Sequence, residues 1–525
     1  MSMTIQNLQA WQNADHPSYF PTYSRKIWKP GSDDVANRFY RATIHETGEV
    51  VLWDIVDAIK MVLGEELTKE DLVARSKYSP EMLRPWAEKY SSGGRMGEYD
   101  KYILHEAYLK VRRMFKLSHL KPLKVEDVPF DGSKSAGLPT LRTKSEVVPQ
   151  TMREVAYLRS HPEAAPPPLT VFHRGKNLDE VRGVQGYPFC MMLLEGRFFY
   201  PYQQKVIKHH TPYVGGRYDF ETAALLNEVR VKSRFVLESD FSNFDGSISA
   251  KLAGMAFSII HDSFDMEPQD EQDWSRITRY FVTAPMLMPD GYIYCGRKHG
   301  VPSGSTFTQL VDSIVNAIVL EYSARRLQFR PTRYFVLGDD GVLGLNQFVD
   351  LDNLAAVMAE LGIKLNVKKS SLHTSAESIH FLGHDWRNGR GVRNRRESLI
   401  RLCTPERARD EYYSKNRDER RQAYIERIRS YQEDNPDIWT DLERLVQFYQ
   451  MQEGERKDWV GRWKSRGKWL RPVYVVYFNG FYGTAQARKG HGVITIGAES
   501  NELSRWKLEK RQVIRGNYRG VSCFF

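Results

Sequence analysis

The chain has 525 residues, 41% of them hydrophobic and 12% aromatic, which excludes an intrinsically disordered protein and suits a large core or several subdomains. Its formal net charge of +11 favours a polyanionic partner but falls well short of a histone-like composition. The four cysteines, Cys190, Cys295, Cys403 and Cys523, have no zinc-type or disulfide-framework spacing, and no signal peptide or run of about 18 apolar residues occurs. A protein of a reducing compartment or of a particle interior, without a membrane partner, is expected.

Residues 50–63 carry helical apolar spacing and stop at Gly64. Residues 99–117 repeat the pattern, with Lys101, Lys110, Arg112, Arg113 and Lys116 along them. Both read as scaffold helices, the second with a solvated basic face. Residues 131–140 are punctuated by Gly132, Gly137 and Pro139 and form a loop. Its small side chains and exposed N–H groups, at Ser135 and Gly137 above all, suit the close approach of a nucleic-acid strand as well as they suit an ordinary surface turn. Residues 161–168 are a stiff, proline-rich connector. Two glycine-punctuated extended segments follow, and their Arg174, Lys176 and Arg182 are candidates for a phosphate clamp. Arg197, Lys205, Lys208, His209 and His210 continue the basic character.

Residues 234–240 are an apolar strand that ends directly on Asp240, which places this acid at the mouth of a sheet. Asp245 follows, and Ser247 or Ser249 can cap the next helix. A hairpin around Pro289-Asp290-Gly291 leads into a Gly/Pro/Ser loop at 300–305 and then into a long helix. Thr308, Asp312 and Asn316 share one polar face of that helix, opposite Leu310, Ile314 and Ala317. Such a stripe is ordinarily the solvated side; here it follows a loop that suits a nucleotide.

Two apolar runs then flank Gly338-Asp339-Asp340-Gly341, the pattern of a β-hairpin with two carboxylates at its tip. A lone Gly-Asp-Asp triplet occurs by chance in roughly a tenth of chains this long, so its weight rests on the company it keeps. An amphipathic helix at 354–361 closes at Gly362, residues 364–370 return toward the sheet, and residues 378–386 are strand-like. Beyond Arg387 come charged helical segments, an aromatic stretch at 469–482 and a glycine-punctuated loop at 483–497.

Two strands ending in Asp240 and in Asp339-Asp340 can bring three carboxylates around one point. Hard oxygen ligands of this kind suit Mg²⁺ or Mn²⁺, and two such ions would activate an attacking hydroxyl and stabilise a leaving pyrophosphate. Asp245, Ser303, Thr308 and Asp312 can offer polar groups to a ribose 2′-hydroxyl.

In their order these segments resemble the conserved motifs of viral RNA-dependent RNA polymerases. Asp240 with Asp245 resembles motif A, Ser303-Gly304 with Thr308 and Asp312-Ser313 motif B, and Gly338-Asp339-Asp340 motif C. Lys368 or Lys369 resembles the motif D lysine, and Phe381-Leu382-Gly383 motif E. Residues 135–139 resemble motif G at the template entrance. Residues 174–186 resemble motif F, with Arg182 the best match to the residue over the incoming triphosphate. The wording is nearest to picobirnavirus polymerases, with partitiviruses next, and the resemblance covers residues 135–383.

The resemblance implies an α+β right hand of fingers, palm and thumb with an antiparallel palm sheet packed on helices. Residues 1–120 would bridge fingers and thumb, 121–233 form the fingers, 234–386 the palm with a fingers-side insertion around 265–300, and 387–525 the thumb and tail. It implies an RNA-directed RNA polymerase that uses an RNA template, its product duplex and ribonucleoside triphosphates. Asp240 and Asp339 would bind two Mg²⁺ or Mn²⁺ ions with Asp340 beside them. Lys369, with Lys368 as the alternative, would be the general acid. Asp245 would read the 2′-hydroxyl, and the Ser303-Gly304 loop would adjust to the nucleotide. Many relatives carry asparagine where this chain has Asp312, which leaves the partner of Asp245 open. A double-stranded RNA genome, a place in the virion interior and host cytoplasm, and a capsid protein as partner belong to the same expectation. Two other readings stay open on the residues alone. A reverse transcriptase is disfavoured by Gly338 and Asp245, and a non-catalytic RNA-packaging protein leaves the ordered carboxylates without a purpose. Residues 483–497, or the tail Cys523-Phe524-Phe525, are candidates for an initiation platform in the product channel.

Overall fold

The apolar residues gather into two cores, and the computed structural model shows which distant segments share each. It describes residues 51–72, 83–88, 90, 93–177, 180–289, 291–387, 389–405 and 410–451, with three-residue strands at 24–26, 474–476 and 494–496. The smaller core is built on helix α1 (Trp53–Leu63), which buries Ile55, Val56, Ile59 and Val62 and is ended by Gly64 at φ 69°. Its apolar side meets Leu399, Leu402, Leu442, Leu445 and Phe448, from helices more than three hundred residues later. The Leu52 N–H donates to the Cys403 carbonyl at 2.8 Å, and Arg444 Nη2 donates to the Val62 carbonyl at 2.6 Å. Residues near the amino terminus and residues after 395 thus form one packing unit.

The larger core contains the sheet that matters for function. Helix α2 (Lys101–Phe115) opens on Asp100, whose carboxylate accepts from the N–H groups of Tyr102 and Ile103. Strands β1 (Leu169–Asn177) and β2 (Glu180–Gly186) form an antiparallel hairpin that sets residue 174 opposite residue 182. They belong to a five-stranded sheet that continues through the paired strands 286–287 and 292–294 to residues 24–26. Helix α3 (Phe189–Val206) follows. Strand β3 (Phe235–Ser239), the long helix α4 (Thr308–Arg326), and strands β4 (Arg333–Leu337), β5 (Asp340–Leu345) and β6 (Ser371–Thr374) complete the second assembly. Its sheet order is β4-β5-β3-β6, antiparallel throughout, with Leu237 opposite Leu343 and Leu337 opposite Asp340. The free side of β4 is covered by backbone bonds from Val336 N–H to the Pro212 carbonyl and from Val214 N–H to the Val336 carbonyl.

Packing decides two points here. The polar stripe of α4 is not the ordinary solvated side: the helix is buried from Leu310 to Ala324, and Asp312 and Asn316 are only 3% and 0% exposed. The helix packs on α2 and on β4, and a helix enclosed in this way has no outer side. For the same reason the basic face of α2 is only partly solvated. Lys110 lies 2.8 Å from buried Glu321 of α4, and Arg112 lies 2.8 Å from Asp262. Residues 378–386 form two strands of a small three-stranded antiparallel sheet. The candidate initiation platforms lie outside the described residues, except that Ile494–Ile496 pairs with Tyr474–Val476. Among the described residues no helix is long and apolar enough to cross a membrane.

The seam between β3 and β6 carries an ionisable contact. His373 Nε2 lies 2.9 Å from Glu238 Oε1, the two side chains being 13% and 16% exposed, and this bond holds the imidazole above its usual range. A group raised in this way contributes stability that is complete below its unfolded-state value of about 6.5 and is lost as pH rises through the folded-state value. The melting-temperature difference between wild type and His373→Gln should therefore be largest near about pH 6 and shrink toward about pH 9. A difference independent of pH would show that the contact is not ionic.

Candidate active site

Strand register brings the acids together. Ser239 lies opposite Gly341, so Asp240, the next residue after β3, comes level with Asp340 at the start of β5. The β4–β5 turn is Gly338-Asp339, and Asp340 stands within the ladder, opposite Leu337, rather than at the hairpin tip. Gly338 has φ 65° with open space where a Cβ would project, so the backbone conformation itself calls for glycine there. The electrostatics records the convergence. Burial pushes the Asp340 carboxyl up to about 7, and the charges of Asp339 and Asp240 act in the same direction, opposed by His380.

Neighbouring segments pin these acids through their backbones. The Asp240 N–H donates to Ser370 Oγ at 3.0 Å, and its carbonyl accepts from the Asn366 N–H at 2.8 Å. Lys368 and Lys369 are both exposed on this same turn, where the Lys369 N–H donates to the Asn366 carbonyl. From α4, Ser313 Oγ accepts from the Gly338 N–H at 2.8 Å. Asn316 Nδ2 donates to the carbonyls of Gly338, Asp339 and Asp340 at 3.1, 3.0 and 3.4 Å. Asn316 was visible in the sequence only as part of a polar stripe. The signal was its setting, since a helix apolar on its other faces is buried and its polar groups must find partners.

The loop before α4 is held from the other side. The Ser303 N–H donates to Gln185 Oε1 at 2.7 Å, and Ser303 Oγ accepts from the Gln185 N–H at 3.0 Å. A Cβ on Gly304 would stand 2.0 Å from the Gln185 carbonyl oxygen, so β2 and the loop touch where glycine removes the side chain. The Thr308 hydroxyl donates to the carbonyls of Pro302 and Ser305 at 2.6 and 2.9 Å; it closes the loop on itself instead of presenting to a nucleotide. The Asp245 carbonyl accepts from the Val301 N–H at 2.8 Å, which ties that segment to the same loop. Asp312, in the first turns of α4, is buried behind it.

The remaining candidates lie further out. Residues 174, 176 and 182 stand on the β1–β2 hairpin, and the side chains of Arg174, Lys176 and Arg182 lie outside the described residues. Ser135 is exposed, and its Oγ accepts from the Gly137 N–H at 3.2 Å. Gly137 is buried with its Cα against the Tyr187 carbonyl, so its N–H and its surface are already used within the fold. Of that pair, Ser135 alone faces solvent. Gln185 and Ser370 are positioning residues that local sequence reading does not single out.

Asn316→Ala removes the donor shared by three carbonyls of the turn and should lower the melting temperature, the loss of such a buried partner costing about 1–3 kcal/mol. Asn316→Asp should be worse, because it adds a carboxylate beside Asp339 and Asp340. Wild-type melting of both variants would disprove the clamp.

Comparison with known proteins agrees with this geometry. A family model described as viral RNA-dependent RNA polymerase matches residues 178–450, just over half of the chain. Over 147 residues the chain is 31% identical to the RNA-directed RNA polymerase of Cryptosporidium parvum virus 1 (strain KSU-1), covering 26% of this chain and 28% of that protein. Over 138 residues it is 31% identical to the RNA-directed RNA polymerase of White clover cryptic virus 1 (isolate Boccardo/2004), covering 24% and 22%. The chain thus spans about a quarter of the length of these curated relatives. The crystal structure of the RNA-dependent RNA polymerase of a human picobirnavirus matches with a TM-score of 0.57 at 16% identity, covering 81% of this chain and 83% of that one. An insertion-loop deletion mutant of that polymerase gives 0.56 at 18% identity, covering 88% and 97%. At such identity the likeness speaks for the fold, which is the α+β right hand with an antiparallel palm sheet on helices. With its acids at the mouth of that sheet and a family match across half its length, the chain belongs to the viral RNA-dependent RNA polymerases.

Proposed function

We propose that this protein copies an RNA template by joining ribonucleoside triphosphates and releasing pyrophosphate. The observation that carries the reading is the meeting of Asp240, Asp339 and Asp340 at one end of an antiparallel sheet, with the loop before α4 tied through the Val301 N–H to the Asp245 segment that follows Asp240. Three crowded carboxylates, one of them pushed up to about 7, are a donor set that a hard divalent cation relieves. Among the described residues no three His, Cys, Asp or Glu side chains are grouped closely enough to hold a metal ion as they stand. Carboxylates brought to one sheet end suit Mg²⁺ or Mn²⁺, which complete their shells with water and substrate phosphates. Asp240 and Asp339 would hold two such ions, with Asp340 beside them. When bound, the ions activate the attacking 3′-hydroxyl and neutralise the leaving pyrophosphate.

The residues of the chain do the positioning. Asp245 receives the ribose 2′-hydroxyl, and the Ser303-Gly304 turn shapes the nucleotide's seat. Arg182, with Arg174 and Lys176, would bind the triphosphate; the backbones of all three belong to the β1–β2 hairpin. Lys369 gives a proton to the pyrophosphate, and Ser135 contacts the template at its entrance. Residues 121–233 act as fingers, 234–386 as palm and 387–525 as thumb and tail, with 1–120 bridging fingers and thumb. The reading extends to a double-stranded RNA genome copied within a virion and in host cytoplasm, with a capsid protein as neighbour. The nearness of the motif wording to picobirnavirus and partitivirus polymerases is what supports that extension.

The test is incorporation of labelled ribonucleotides on a defined RNA with Mg²⁺ or Mn²⁺. Asp339→Asn should lower incorporation by at least about a thousandfold while RNA binding persists. Full activity in this variant would sink the assignment. Gly304→Ala places a Cβ against the Gln185 carbonyl, so the loop must shift, and a misplacement of that size should reduce turnover about a hundredfold with the fold retained. Near-normal turnover would show that the close approach does not matter.

A further inference from the structure

Helix α3 begins in an apolar run, Phe189-Cys190-Met191-Met192-Leu193-Leu194-Glu195-Gly196-Arg197-Phe198, interrupted by two charges. Both are buried, and a buried charge requires partners. Those of Arg197 are structural: its guanidinium pairs with Asp270 at 2.6 Å and Asp273 at 2.5 Å, on the helix Pro268–Thr283. Glu195, 0% exposed, has a different set. Its Oε2 accepts from the Ser305 hydroxyl at 2.8 Å, the Thr306 N–H at 2.9 Å and the Thr306 hydroxyl at 2.9 Å, while the Tyr187 hydroxyl donates to Oε1. All four partners are donors, the complement that an acceptor-only carboxylate needs. They come from two places: the residue that follows β2, and the turn directly after Ser303 and Gly304.

We infer that Glu195 is a positioning residue for nucleotide selection: it pins residues 305 and 306 to the fingers, so that the Ser303-Gly304 turn is held in one conformation beside the Asp245 segment. This deepens the polymerase reading and rests on it. A loop of glycine, proline and serine has many conformations available, and two grips restrict this one. Gln185 holds Ser303 from β2, and Glu195 holds the next two residues but one from α3. Between the grips lies Gly304, the point of closest approach to β2. A carboxylate that served only to join helices would have partners like those of Arg197. The bonds of Glu195 instead converge on the loop that meets the nucleotide, so its loss should appear in substrate selection as well as in stability.

The experiment compares kcat and KM for a ribonucleotide and the matching deoxyribonucleotide, with melting temperature and amide exchange at residues 302–308, in the full-length protein. Glu195→Ala should raise the ribonucleotide KM about tenfold, weaken ribose selectivity about tenfold and speed exchange of the Thr306 amide. Glu195→Gln keeps one acceptor oxygen and should recover part of the effect. The double variant Ser305→Ala with Thr306→Val leaves the carboxylate in place and should reproduce the change in selectivity; it decides the matter if Glu195→Ala does not fold. Arg159→Lys, which loosens the Asp273 contact at 2.7 Å, should lower the melting temperature alone. Lower melting in the Glu195 and loop variants with wild-type KM, selectivity and exchange would overturn the inference. A wild-type protein that incorporates no nucleotide while Thr306 exchange still depends on Glu195 would refute the polymerase reading and the selectivity role, and leave the pin standing.

Discussion

Three aspartates at the end of one sheet repel one another, and much of the surrounding structure keeps them from separating. Burial lifts Asp340 well above an ordinary carboxylate, with Asp339 and Asp240 adding to the shift. The strands that carry them are held in register, because Val236, Leu237, Val342 and Leu343 are fully buried on both faces of the sheet and a one-residue slip would exchange the faces on which they pack. The turn itself is gripped from behind by Ser313 and Asn316, and the strand end by Ser370 and Asn366. Hydrogen bonds from Asn316 to the backbone of the turn offset part of the cost of crowding like charges.

The same logic governs the loop ahead of α4. Its composition permits many conformations, yet its side chains and N–H groups are taken up by Gln185, Glu195 and its own carbonyls. The sheet that carries the acids and the hairpin that carries Arg174 and Arg182 are separate sheets. The loop from 300 to 306 is where they communicate, since one end bonds to the Asp245 segment and the other to β2 and α3. Through this loop β2 and α3 are linked by hydrogen bonds to the Asp245 segment.

Helix α4 shows why local reading goes only so far. Its spacing of Thr308, Asp312 and Asn316 is that of an ordinary solvated face, but packing on α2 and β4 encloses it, and Thr308 and Asn316 acquire structural tasks. The same enclosure diverts Lys110 of α2 from solvent to Glu321. Gly137 was read as part of an open loop and is instead buried against the Tyr187 carbonyl, a contact between residues fifty positions apart.

What the sequence determined by itself was whatever depends on near neighbours. The apolar runs around Gly338-Asp339-Asp340 dictate a hairpin, the period of α1 and its Gly64 stop dictate a helix, and Asp240 ends its strand because the apolar run ends there. The order of these motifs along the chain was enough to point to the family. Tertiary structure alone decided which polar groups would be buried together. Ser303 meets Gln185 across 118 residues, Asp240 meets Ser370 across 130, and Asn316 meets the turn across more than twenty. Periodicity describes which side of an element is apolar, but a buried hydrogen bond depends on what another element presents to it, and that becomes definite only when the elements pack.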